Sequence, residues 1–422
     1  MGFQMDGLRD ELSVFADIGT GAPTSQDEES AVIFRFVRNG DPVKIRFDKK
    51  SGKIEYNREN YTSETFINYK SLLASRDFAN LKLWAHSQSI ILKETIGEGK
   101  ILDTYGRLNS EHSNIDAKLA DVDVFLLENR ITERSVKVLL IDGPAGIGKT
   151  HFVEQLSFTR ARDFVKTQSP LILHVKSRGR ILTYIQDLMA FSLQSLRLQV
   201  TYDQIPVLVR HGMLQLAIDG FDELGDPNGY ETAWGQLRDL VQDVEGEGTI
   251  ILAGRETFIG RERLLKAVPR LGEDRHEVGV FSILPTTPNA AKSWLRNKVA
   301  EERIEDASKL GLFDEGSYAL RPFFLSQIAD LLSTDIDLES APPLVSLTKL
   351  MIAREATKFP DGIRSLMGSE GLTKFISDVL AETARDMAEN QVDTIDEESL
   401  LWIAETAVGD NFDPESLRLI KN

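Results

Sequence analysis

Residues 143–150 read GPAGIGKT, the pattern G-x-x-x-x-G-K-T with Gly143, Gly148, Lys149 and Thr150 in its fixed positions. Glycines at this spacing let backbone N–H groups close around phosphate oxygens, and a helix that starts here points its positive end at them. Pro144, Ala145, Gly146 and Ile147 complete the cradle, Lys149 reaches the terminal phosphates, Thr150 ligates Mg²⁺, and His151 follows as the next nucleotide-binding position. Further along, AIDGFDELGD at 217–226 places Asp219, Asp222, Glu223 and Asp226 just after the apolar run Leu214, Leu216, Ala217, Ile218. Like charges crowded at the end of a buried strand repel, and an unpaired buried carboxylate is forced toward its protonated form. A phosphate-bound Mg²⁺ supplies the missing positive charge, so Asp219 is assigned to it, usually through water. Glu223, or else Asp222, could orient or deprotonate the attacking water, with Glu223 the first choice. Gly220 gives clearance beside the nucleotide, and Asp226 ahead of Pro227 reads as a solvated turn residue.

Arg255, in ILAGRE, ends a further apolar run and should emerge at the same edge as the glycine loop and the acidic cluster. There it could sense the terminal phosphate or stabilise transition-state charge. The alternative is an ion pair with Glu256 or with the acidic cluster. The guanine-selecting Asn-Lys-x-Asp motif is missing, since Asn297-Lys298 is followed by Val299 and Ala300. Adenine is the better expectation, and ATP or ADP with Mg²⁺ the expected cofactors.

The elements that must position these residues are strands alternating with helices. A helix around 115–129 precedes the apolar run SVKVLLID at 135–142, and a helix over 149–165 follows the glycine loop. PLILHVK at 170–176, MLQLAID at 213–219 and TIILAGR at 249–255 give three further strands, separated by helices near 181–197 and 230–244. Four such strands predict a parallel sheet covered on both faces. Before it, residues 31–57 read as a β-meander, with Val43, Ile45 and Phe47 alternating with Lys44 and Arg46, and residues 64–94 take a helical rhythm. His86 beside Trp84 reads as a packing or surface residue, and GEGK at 97–100 as a linker. Past residue 285 the pattern is helical. Thr287 and Pro288 cap one helix; others are expected at 322–333, 344–358, 370–389 and 397–407, the last opened by a Thr394/Glu397 capping box.

The fold class expected is α/β: a P-loop NTPase parallel sheet flanked by helices, with an N-terminal α+β module and a helical or winged-helix-like C-terminal half. The divisions expected are 1–110 for the module, 111–285 for the nucleotide domain, 286–342 for a helical domain and 343–422 for a helical or winged-helix-like domain. A chain of 422 residues exceeds a single core, and with no cysteine it has neither disulfides nor a thiolate nucleophile. Its net charge of −17 argues against broad nucleic-acid binding, because backbone affinity needs clustered Lys and Arg. No apolar run is long enough for a membrane span, and the N-terminus MGFQMDGLRDEL carries no export pattern, so a cytoplasmic location is expected.

Taken together, GPAGIGKT, LAIDGFDEL and TIILAGRE resemble the P-loop, the Asp-Gly-x-Asp-Glu form of Walker B, and the sensor arginine of NACHT-type STAND ATPases. The resemblance spans roughly 112–420, since ALRPFFLSQIADLL at 319–332 is similar to the proline-started helix that contacts the nucleotide in that family, with Pro322 at the matching position. Membership would imply a switch that holds ADP, exchanges it for ATP on an unknown protein or other cue, hydrolyses slowly and self-associates, plausibly in prokaryotic antiviral defence. Two departures stand against it: no histidine follows His276 to touch the ADP, and no C-terminal sensor repeats are present. The abrupt end at SLRLIKN suits a truncated chain. Two other readings use the same residues: a constitutive AAA+-type ATPase motor or loader, and a binding module whose nucleotide domain is a scaffold.

Overall fold

The structure, a computed structural model, describes residues 5–409 apart from 60, 97–103, 112–113, 129–133, 178–183, 225–230, 256, 334–342, 358, 360, 391–394 and 396. The expected linker GEGK, Asp226 with Pro227, Glu256, Thr394 and the end SLRLIKN lie outside the described residues. The chain packs as two units, Met1–Thr286 and Thr287–Asn422.

The first unit opens with α1 (Met5–Ser13) and a five-stranded antiparallel sheet in sequential order: β1 (Thr24–Asp27), β2 (Ala31–Arg38), β3 (Asp41–Asp48), β4 (Ile54–Arg58) and β5 (Glu64–Phe66). The expected meander is β2 to β4. In β3, Val43, Ile45 and Phe47 are buried while Lys44 is exposed, as the alternation requires. The helical rhythm expected over 64–94 begins later, because residues 64–66 pair with β4; the helices are α2 (Tyr69–Leu73) and α3 (Leu81–Ile96). His86 is exposed on α3.

The second sheet has seven strands where four were expected. It comprises β6 (Tyr105–Asn109), β7 (Asn114–Lys118), β8 (Ser135–Asp142), β9 (Leu171–Lys176), β10 (Leu214–Asp219), β11 (Glu247–Ala253) and β12 (Glu277–Ile283), in the order β7-β6-β12-β8-β11-β10-β9. Five strands are parallel, from β12 to β9; β6 and β7 add antiparallel pairs at one edge. The helix expected over 115–129 is corrected accordingly. Residues 114–118 form the edge strand β7, mostly exposed, and only Leu119–Leu127 is helical (α4).

The parallel strands bury both faces. In β8, Val136, Val138 and Leu140 enter one apolar cluster, and Leu139 and Ile141 enter another together with Phe152 of α5 (Lys149–Thr167). The connections include α6 (Ile185–Leu196), α7 (Ile205–Arg210), α8 (Glu231–Asp243) and α9 (Arg261–Ala267). The first cluster also contains Phe15, Phe34, Phe47 and Trp84, so the N-terminal strands and helices share a core with the seven-stranded sheet and no packing break falls near residue 110. Polar contacts join them too: Gln88 Nε2 donates to the Ile172 carbonyl at 2.7 Å, and Glu11 lies 3.0 Å from Arg210 and 2.8 Å from His211.

The second unit consists of helices α10 (Pro288–Leu295), α11 (Glu301–Lys309), α12 (Pro322–Leu332), α13 (Pro343–Ala356), α14 (Asp361–Asn390) and α15 (Glu397–Gly409). Thr287 caps α10 by accepting from the Ala290 N–H at 3.3 Å, as its pairing with Pro288 predicts. The helix α11 was not expected, and α14 is broken at Gly368 (φ +67°). Among the described residues this unit has no strand, so the winged-helix part of the expectation finds no wing. Among the described residues no helix is long and apolar enough to cross a membrane.

Candidate functional site

Buried β8 runs straight into the glycine loop, and α5 begins at Lys149. Gly148 is its N-cap with φ +102°, a conformation that suits glycine, and no side chain caps the first turn. The N–H groups of that turn are therefore the ready donors for an anion. Lys149 Nζ donates to the carbonyls of Gly143 at 2.6 Å and Pro144 at 3.2 Å. Burial pulls its ammonium below the usual lysine range, partly opposed by the charges of Asp222 and Asp219, with Arg255 pushing the same way as burial. Lys149 is thus one of the counter-charges that the acidic stretch demands, supplied from the loop after β8.

Asp219 ends β10 in register with Lys176 of β9. Burial alone would raise its carboxyl, yet hydrogen bonds from His174 and Thr150, with the Lys176 charge nearby, hold it below the ordinary aspartate range. His174 Nε2 lies 3.2 Å from Asp219 Oδ2. Lys176 turns toward α5 and donates to Glu154, whose other oxygen lies 3.8 Å from His151 Nδ1. Burial would raise Glu154, but His151 and Lys176 dominate and hold it at about 2, below the ordinary 4.5. A depressed carboxylate adds stability that is complete above about pH 4.5 and lost as pH falls toward about 2. Acid unfolding of the wild type should therefore steepen below pH 4.5, and Glu154→Gln should flatten that limb in urea titrations at pH 3 and pH 6; identical limbs would contradict the network.

Beyond Asp219 the chain makes one 3₁₀ turn over Phe221–Glu223. Arg255 lies two residues past the end of β11, which separates the P-loop strand β8 from the acidic strand β10. Its Nε sits 3.2 Å from Asp222 Oδ2, so of the two roles left open for it the ion pair with the acidic cluster is present. Its side chain remains 62% exposed, and solvent screens the pair. Burial raises Asp222, against the opposing charge of Arg255. Glu223 accepts a hydrogen bond from Ser177 Oγ at the end of β9.

That contact also assigns Gly220 a different role from the clearance expected of it. Its φ is +78°, and a Cβ there would lie 2.3 Å from Ser177 Oγ and 3.2 Å from Glu223 Oε2. Gly220→Ala should lower unfolding free energy by about 1–3 kcal/mol. Ser177→Ala in the same chain should recover part of the loss; equal stability of wild type and Gly220→Ala in urea unfolding would contradict the crowding.

Thr150, Asp219, Lys149, Asp222, Glu223 and Arg255 thus gather at the C-terminal ends of the parallel strands. Pro144 and Ala145 are exposed on the loop, with Ile147 buried beneath. Pro322 opens α12 in the second unit. The residues missed by sequence reasoning are His174, Lys176, Ser177, Glu154 and Asp142, the last a buried residue whose charge acts on Lys149. The signal for His174, Lys176 and Ser177 was available in LILHVKS, where polar side chains interrupt an apolar strand.

The donors suit Mg²⁺. That ion takes hard oxygens and is held by one or two carboxylates together with phosphate oxygens and water. The Thr150 hydroxyl and an Asp219 carboxyl held below the ordinary aspartate range, in part by that hydroxyl, fit that set. Among the described residues no three His, Cys, Asp or Glu side chains form a cage that could hold a metal alone.

No family model and no curated protein matches the chain. Solved structures that resemble it include the ORC1 protein of Aeropyrum pernix in complex with DNA, at 11% identity over 68% of this chain and 79% of that one, with a TM-score of 0.40. The ORC2 protein of the same organism, in ADPNP–ADP complexes, shows 14% identity over 71% and 86% with a TM-score of 0.35. Cdc6p of Pyrobaculum aerophilum shows 12% over 72% and 83% with a TM-score of 0.30. At these values they are distant likenesses, and the chemistry rests on the residues above.

Proposed function

We propose that the chain is a Mg²⁺-dependent P-loop ATPase. The observation that carries this is the meeting of Lys149, Thr150 and Asp219 at one sheet end, where the Thr150 hydroxyl helps to keep the Asp219 carboxyl ionised and the Asp219 charge acts on Lys149. The uncapped first turn of α5 and Lys149 would hold the phosphates, while Thr150 and Asp219 would hold Mg²⁺, which supplies neutralisation of phosphate charge when bound. Glu223 orients or deprotonates the attacking water, Asp222 keeps Arg255 at the rim, and Arg255 exchanges Asp222 for the terminal phosphate.

How the ATPase is used has two readings. The oligomerising NACHT-type switch, with its cue, its self-association, its antiviral setting and the nucleotide contact of Pro322, rests on sequence resemblance alone. A constitutive AAA+-type motor or loader uses the same residues and fits the site at least as well. The test is the mass of the full chain in solution with ADP and then ATP, alongside phosphate release. Sustained turnover with unchanged mass supports the motor, retained ADP with an ATP-dependent rise in mass supports the switch, and no nucleotide binding sinks both.

A further inference from the structure

His174 stands out on β9 because its neighbours in the run LILHV are aliphatic and its side chain is 6% exposed. It shares a sheet face with Ala217 and Asp219, being in register with Ala217 and diagonal to Asp219. Its Nε2 lies 3.2 Å from Asp219 Oδ2. An ionised carboxylate only accepts, so Nε2 is the donor in this contact. Nδ1 is buried and has no hydrogen-bond partner among the described residues. A buried polar atom without a partner lowers stability, and an aliphatic side chain in this apolar strand would avoid that cost. What the histidine gains in return, among the described residues, is its hydrogen bond to Asp219.

That contact has a geometric consequence. Asp219 has two oxygens, of which Oδ2 meets His174 Nε2 at 3.2 Å, and Thr150 is the other side chain that favours its ionised form. With His174 holding Oδ2 from the β9 side, the carboxylate plane is fixed and the group stays turned toward Thr150 of α5. Resting on the ATPase reading above, we infer that His174 is a positioning residue that sets the Asp219 carboxylate for the Mg²⁺ accompanying the nucleotide. Partners that orient a metal-binding carboxylate in this way typically govern about 10- to 100-fold in metal affinity.

The test measures binding, not turnover. A fluorescent ATP analogue is titrated into the full chain in EDTA and again across a Mg²⁺ series, for wild type, His174→Leu and His174→Gln. Leucine fills the buried space without a donor, and glutamine places its amide N–H where Nε2 stands. The expected result is that His174→Leu raises the Mg²⁺ concentration for half-maximal tightening about 10- to 100-fold, leaves affinity in EDTA within about twofold, and is reversed by His174→Gln. If His174→Leu does not fold, His174→Asn replaces it, since the shorter amide falls short of Oδ2. A Mg²⁺ requirement equal to that of the wild type overturns the inference. So does a parallel loss of EDTA affinity, or failure of glutamine to restore the requirement, because each marks His174 as packing only. A wild type whose nucleotide affinity does not respond to Mg²⁺ overturns instead the ATPase reading beneath it.

Discussion

Lys149→Ala should weaken ATP binding about 100-fold, because each charge-assisted hydrogen bond to phosphate is worth about 1.5–3 kcal/mol. The side chain starts from a half-buried position on its own loop, bonded to the Gly143 and Pro144 carbonyls. Exchanging those neutral acceptors for phosphate oxygens is favourable, since burial and Arg255 both disfavour its charge where it stands. The substitution also removes the positive group facing Asp219 and Asp222, so the phosphates would then meet a net negative rim. Two hydrogen bonds to loop carbonyls are lost with it, so thermal unfolding of the variant should lie only slightly below wild type. Affinity within about threefold of wild type in a calorimetric titration would mean that the phosphates are held elsewhere.

Glu223→Gln should cut ATP hydrolysis about 10²- to 10⁴-fold while leaving ATP affinity within a few-fold, the signature of a group that acts on the attacking water. The geometry favours Glu223 over Asp222. Glu223 lies on the exposed side of the 3₁₀ turn, held by Ser177 Oγ, a contact that a hydroxyl can release without leaving a buried charge. Asp222 is tied to Arg255 and crowded against Gly254, where a Cβ would sit 3.1 Å from its Oδ1. Asp222→Asn should therefore lower turnover by less, through a displaced Arg255. Were the two variants to exchange effects, the base would be Asp222, whose carboxyl burial already pushes up.

The parallel core and the glycine loop were readable because they are local. SVKVLLID has no face left polar, and every one of its residues is buried. Similarly, GPAGIGKT carries its chemistry in eight consecutive positions. The edge strand β7 was read as helix because NIDAK, though it alternates, is only five residues long and runs directly into the helical LADVDVFLL; its pairing to β6 is what makes it a strand. The last parallel strand, β12, was missed since EVGVFSI mixes glycine and polar residues into a short run. Gly279 is needed there, as a Cβ would meet the Phe125 ring at 2.6 Å. Nothing local announces that Gln88 will reach Ile172 or that Glu11 will meet His211, so the shared core of the N-terminal strands and the nucleotide sheet was not legible. The site's supporting layer was half legible. His174, Lys176 and Ser177 are polar interruptions at the end of a strand, but their targets become visible only when β9 and β10 lie side by side.

The central claim is that the loop after β8 and the acid at the end of β10 form one nucleotide site. Calorimetric titration of the full chain with ATP, in Mg²⁺ and then in EDTA, tests it most directly. Saturable binding of one ATP per chain, tighter with Mg²⁺ and lost in Lys149→Ala, is the predicted result. No heat of binding from a folded chain, or affinity indifferent to both Mg²⁺ and Lys149, would contradict it.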